Sequence, residues 1–84
     1  MKNSTLIIGV QISCFSKQAE EVQRIFTDYG CSIRTRVGLH NVADGLCSLT
    51  AVILIEFIGT QQTAEEMIAK LTAIDGVVVK TMTF

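Results

Sequence analysis

The chain has 84 residues, 49% of them hydrophobic, with seven Lys plus Arg against eight Asp plus Glu and a formal charge of -1. That is enough for one domain, too apolar for a disordered segment, and without the basic excess by which proteins hold nucleic acid through its phosphates. Charged residues make up only 18%, Trp and Pro are absent, and mean hydropathy is +0.45, so a small body must dispose of much apolar surface.

Residues 5–13 are rich in aliphatic and β-branched side chains and read as a first strand. Ser16 is the expected N-cap of a helix, with Glu20 and Glu21 in its first turns and Ala19, Val22, Ile25, Phe26 and Tyr29 at helical spacing. Gly30 is the expected left-handed stop. From Cys31 the period changes to two: Cys31, Ile33, Thr35, Val37 and Leu39 alternate with Ser32, Arg34 and Arg36. Residues 40–46, with Asn41, Asp44 and Gly45, read as a hairpin loop, and a third strand follows over about 47–58. Thr63-Ala64-Glu65-Glu66 has capping-box spacing, with Thr60 a competing cap. Ala64, Met67, Ile68, Leu71 and Ile74 form a second helical stripe that Gly76 ends, and residues 77–84 are the last strand.

The order β-α-β-β-α-β with two amphipathic helices predicts a single α+β domain over 1–84, a ferredoxin-like sandwich. Its four-stranded antiparallel sheet would carry both helices on one face. The continuously apolar first and third strands belong in the centre, and the second and fourth, with Arg34, Arg36 and Lys80, at the edges. If Glu56 and Lys80 point away from the helices, then Ile7, Val52, Leu54, Val78, Met82 and Phe84 share the open face with Arg34 and Arg36. Such a face is expensive to leave in water, so it, or a strand edge beside it, is a candidate homo-oligomer interface, in a dimer or tetramer.

The chemistry-bearing residues are few. His40 is the only histidine, and no G-x-S-x-G, H-E-x-x-H or phosphate-cradling glycine loop occurs, so no catalysis is expected. His40 and Cys47 bracket the hairpin loop and offer imidazole and thiolate to nickel, zinc or copper, but two ligands are not a metal site. Gly9 and Gly38 interrupt strands, where glycine marks a bulge or a close approach by a ligand or another backbone. Gly38 runs into Leu39-His40, so Gly9, Arg36, Gly38, Leu39 and His40 are the candidate ligand-binding residues.

No transmembrane helix is expected, since the longest apolar run, 51–58, contains Glu56 and falls short of the ~20 residues that span a bilayer. Lys2 ahead of Leu6-Ile7-Ile8 outlines a signal peptide, but Gln11 interrupts it and no small-residue cleavage site follows. Cys14, Cys31 and Cys47 are odd in number and lack C-x-x-C spacing, so free thiols in a reducing cytoplasm are expected.

Tyr29-Gly30, Ile33-x-Thr35-Arg36-x-Gly38-Leu39-His40, Glu56-x-x-Gly59 and Gly76-Val77-x-Val79-Lys80, in this order and spacing, resemble the regulators of the iron-only hydrogenase system. These are small stand-alone ACT-like domains, and the resemblance runs over nearly the whole chain. It implies an ACT-type fold, side-by-side oligomerisation and a regulatory role. Amino-acid-binding ACT domains carry a glycine-bearing loop after the first strand, where this chain has Cys14-Phe15-Ser16. Nickel-responsive regulators share a related fold with His and Cys ligands, for which only His40 and Cys47 offer the chemistry here. The expected function is therefore a non-enzymatic, ligand-sensing homo-oligomer without direct nucleic-acid contact. A metal-responsive domain and a purely structural assembly module are the alternatives.

Overall fold

A central strand has its backbone groups paired on both edges, so the most apolar strands belong in the middle of a sheet and charged ones at its edges. The computed structural model describes residues 5–13, 16–39 and 50–84. In chain order these form β1 (Leu6–Ser13), α1 (Ser16–Asp28), a 3-10 turn (Gly30–Ser32), β2 (Ile33–Leu39), β3 (Thr50–Phe57), α2 (Gln61–Thr72) and β4 (Val78–Thr83). The sheet order is β2-β3-β1-β4 with every pair antiparallel, so the two most apolar strands are central, as the sequence predicts. The architecture is a ferredoxin-like βαββαβ fold.

One face of the sheet builds the core. Ile8 of β1 lies opposite Ile55, Val10 between Ile53 and Val79, and Ile12 opposite Ala51. Ile8, Val10, Ile12, Ile53 and Ile55 meet Val22 and Phe26 of α1 and Ala64, Met67 and Leu71 of α2 in one buried cluster. No polar or charged side chain among the described residues is buried with them. Each such aliphatic side chain contributes about 1.5–3 kcal/mol by leaving water, so this layer holds the fold together.

Three local expectations are corrected. The α1 helix does not stop on a left-handed glycine: Gly76 is the glycine with positive φ (86°), and the chain leaves α1 through the 3-10 turn, where the Ser32 N–H donates to the Tyr29 carbonyl at 2.9 Å. Gly76 does not end α2 either. That helix closes at Thr72 with Ala73 as C-cap, and Gly76 serves the turn that carries the chain into β4. The N-cap of α2 is Thr60, whose Oγ1 accepts from the Thr63 N–H at 3.1 Å, because starting one turn earlier than the Thr63 box puts Ala64 on the core in the first turn. Thr60→Ala is expected to lose about 1 kcal/mol, read as a fall of several degrees in melting temperature, with Thr63→Ala losing less.

The fourth correction bears on function. β2 carries a bulge between Ile33 and Thr35: Ile33 lies opposite Phe57 and Thr35 opposite Glu56, so Arg34 is the extra residue. A one-residue shift moves every later side chain to the other face. Strict alternation predicts Ile33, Thr35 and Val37 on one side. Instead Ile33 and Arg36 face the helices, while Thr35 and Val37 join the open face.

Candidate functional site

The helix-free face is built from every second residue of four strands. Across β1, Ile7 lies between Glu56 of β3 and Met82 of β4, Gly9 between Leu54 and Lys80, and Gln11 between Val52 and Val78. Val37 of β2 lies opposite Leu54, and Phe84 continues the β4 alternation, its N–H donating to the Thr5 carbonyl at 2.9 Å. The six apolar residues expected on this face are on it by register, whereas Arg36, expected with them, is not. Val37, Leu54, Val78, Met82 and Phe84 are exposed there, Phe84 most of all at 74%. Gly9 leaves a shallow hollow of about 200 Å³ between Ile7, Leu54, Lys80 and Met82. A Cβ at Gly9 would stand 3.5 Å from Leu54 Cδ2 and 3.7 Å from the Lys80 carbonyl oxygen, which is ordinary contact.

Glu56 is the acidic group of this surface. Arg34 Nη1 lies 3.6 Å from its Oε2, and Thr35 Oγ1 donates to its Oε1 at 3.1 Å, so both residues at the bulge are turned on one carboxylate. Lys80 lies on the other side of β1, and its ammonium makes no hydrogen bond or ion pair among the described residues.

Arg36 belongs to the opposite surface. The bulge turns it toward α1, where its guanidinium lies 5.0 Å from the centre of the Phe26 ring and Nη2 donates to Gln23 Oε1. The ring face attracts the cation, and Gln23 fixes its orientation. Gly38 is two residues on along the same side, opposite Ile53, and no described atom lies within 4 Å of the place a Cβ would take. It is thus no close-approach glycine among the described residues. The structure brings Arg36 and Gly38 together on the helix side of β2 and separates these two from Gly9, which is on the other face of the sheet. Leu39 ends the strand in register with Val52, a position of the Gly9 face. His40, Cys14 and Cys47 lie outside the described residues. Cys31 is an exposed free thiol in the 3-10 turn, and no group of three metal-ligating side chains occurs among the described residues.

Among the described residues one titration is perturbed: Lys70, in the last turn of α2, has its pKa raised above the usual lysine value, chiefly by the neighbouring Tyr29 side chain. Its ammonium lies 5.1 Å from the centre of that ring. This cation caps the helix layer, where the negative end of the helix dipole favours it, and plays no part in the open face. Among the described residues no helix is long and apolar enough to cross a membrane.

No known family model matches the chain, and no curated protein matches it. Solved structures do. An uncharacterized protein of Thermotoga maritima is similar at a TM-score of 0.84 with 23% identity, covering 98% of this chain and 99% of that one. The ACT domain of GTP pyrophosphokinase of Chlorobium tepidum is similar at 0.68 with 18% identity, covering 93% and 96%. A formyltetrahydrofolate deformylase of Pseudomonas putida is similar at 0.57 with 12% identity, over 93% of this chain but only 28% of that one. At these identities the likeness is one of fold, and the fold is the ACT type of the ferredoxin-like sandwich.

Proposed function

We propose that residues 1–84 form one ACT-like regulatory domain, cytoplasmic and without catalysis of its own, that senses a small molecule as a homo-oligomer. The observation that carries this reading is the likeness to the ACT domain of GTP pyrophosphokinase over nearly the full length of both chains. The process assigned to it is the iron-only hydrogenase system, on the strength of the motifs around Thr35-Arg36-x-Gly38 and Gly76-Val77-x-Val79-Lys80. The ligand site assigned to it is the β2 rim, where Arg36 offers a held guanidinium and Gly38 leaves room beside it. A guanidinium calls for a carboxylate or phosphate on the ligand. Binding that favours one assembly state over another transmits the signal as a shift in populations.

A thermal-melting screen of amino acids, nucleotides and divalent cations tests this. A ligand at a hundred times its Kd adds about 2.7 kcal/mol of stability, enough to raise the melting temperature of so small a domain by roughly 10 °C or more. Arg36→Gln is expected to abolish that shift while leaving the fold intact. A shift given by nickel or zinc and lost in His40→Ala replaces this reading with a metal-responsive one through His40 and Cys47. An oligomer that responds to nothing is a structural assembly module.

A further inference from the structure

The open face carries a pattern that matches itself. Six residues around the middle of β1 form two rows: Glu56, Ile7 and Met82 across one level, then Leu54, Gly9 and Lys80 across the next. The charges occupy one diagonal of this block and the exposed apolar side chains Leu54 and Met82 the other. A two-fold axis lying in the plane of the face, perpendicular to the Glu56–Lys80 line and so close to the Leu54–Met82 diagonal, exchanges the places of Glu56 and Lys80. It crosses β1 between Ile7 and Gly9, beside the hollow that Gly9 leaves.

We infer that this face docks on the same face of a second copy, with Lys80 of each copy set against Glu56 of the other and Leu54 and Met82 packed along the axis. This rests on the homo-oligomer reading and gives it a surface and a register. Charge complementarity selects the occupant. Lys80 has no partner within the described chain, and Glu56 keeps acceptor capacity beyond its contacts with Arg34 and Thr35. An isologous contact of this kind satisfies both charges in both copies at once. Packed sheets stand about 10 Å apart, within reach of a lysine and a glutamate extended toward one another.

The dimensions set the strength. Four strands about 4.8 Å apart and some seven residues long at about 3.4 Å each give a face on the order of 500 Å² in projection. Stable complexes of standard size bury about 800 Å² per partner. The expected dimer is therefore a weak one that forms and dissociates with concentration.

Charge exchange tests the register. Lys80→Glu and Glu56→Lys each place like charges across the axis, so each variant alone is expected to dimerise at least about tenfold more weakly than the wild type in sedimentation velocity. Mixed together they restore both opposite-charge contacts, and the mixture is expected to form a heterodimer of wild-type strength, visible in native mass spectrometry. If both variants self-associate like the wild type, the face is not the interface, and a strand edge carries an otherwise intact oligomer. If each variant is weakened and the mixture is not restored, the Lys80–Glu56 register is wrong. A wild-type chain that stays monomeric at millimolar concentration overturns the homo-oligomer reading itself. Melting curves of each variant confirm folding, and Glu56→Gln with Lys80→Gln replaces the pair if a lysine beside Arg34 unfolds the chain: each alone is then expected to weaken the dimer, and their mixture to recover part of it through the one Lys80–Glu56 contact of the heterodimer.

Discussion

Phe26→Ala is expected to lower the free energy of unfolding by about 3–5 kcal/mol. Phe26 is 2% exposed and is the largest fully buried side chain among the described residues, set between α1 and the sheet. Removing it leaves a cavity among side chains of both helices and both central strands, and takes away the ring beneath the Arg36 guanidinium. A domain of this length has roughly 4–13 kcal/mol of stability in total, so the loss is a large share of it. Urea unfolding followed by circular dichroism is expected to show the midpoint falling with the slope unchanged. Phe26→Leu, which keeps most of the volume, is expected to lose markedly less. A loss under 1 kcal/mol in the alanine variant would remove Phe26 from the core.

Gly59→Ala is expected to destabilise the fold by about 1–3 kcal/mol, through crowding and not through lost contact. A Cβ there would stand 2.7 Å from Ser32 Oγ and 2.8 Å from Phe57 Cε2. The serine hydroxyl has room to rotate away, but Phe57 is 4% exposed and wedged in the core. The strand exit is also pinned from the other side, because the Ile58 N–H donates to the Ser32 carbonyl at 2.7 Å. Thermal unfolding reads the effect as a drop of roughly 4–8 °C per kcal/mol. In a Ser32→Ala background only part of it is expected to return, since the aromatic clash remains. An unchanged melting temperature would mean that the connection from β3 to α2 moves aside freely.

The fold was legible because it is written in periodicity. Val22 and Phe26, and Met67 and Leu71, recur at four-residue spacing, and each pair is buried in the structure. The alternation of Ile8, Val10 and Ile12 against Ile7, Gly9 and Gln11 likewise assigned the two faces of β1 correctly. The open-face residues followed from the same parity, anchored on Glu56 and Lys80. Arg36 did not, and the reason is local. A bulge inserts one residue without leaving a mark in composition, and Ile33-Arg34-Thr35-Arg36 alternates as well with it as without it. The available hint was Glu56, a half-buried acid beside an edge strand with two arginines, only one of which it engages. Gly38 misled for a related reason: glycine within a strand marks close approach in general, whereas here no described atom approaches it. Capping was ambiguous because Thr60 and Thr63 both carry the hydroxyl. Only the packing of Ala64 in the first turn decides between them.

The sheet order has a consequence for how the chain acquires its structure. Leu6, at the start of β1, has one partner at Phe57 and the other at Thr83. Its two neighbours are made tens of residues after it, and the second, β4, comes after α2. Neither pairing forms from sequence-local encounters, so folding must close long loops before it gains much from them, which places it among the slower small domains. Until β4 arrives, β1 offers a bare aliphatic edge to any other strand that meets it, and a nascent or truncated chain is most prone to aggregate at that stage. The strand that seals that edge is therefore also the one that ends the interval of risk during synthesis.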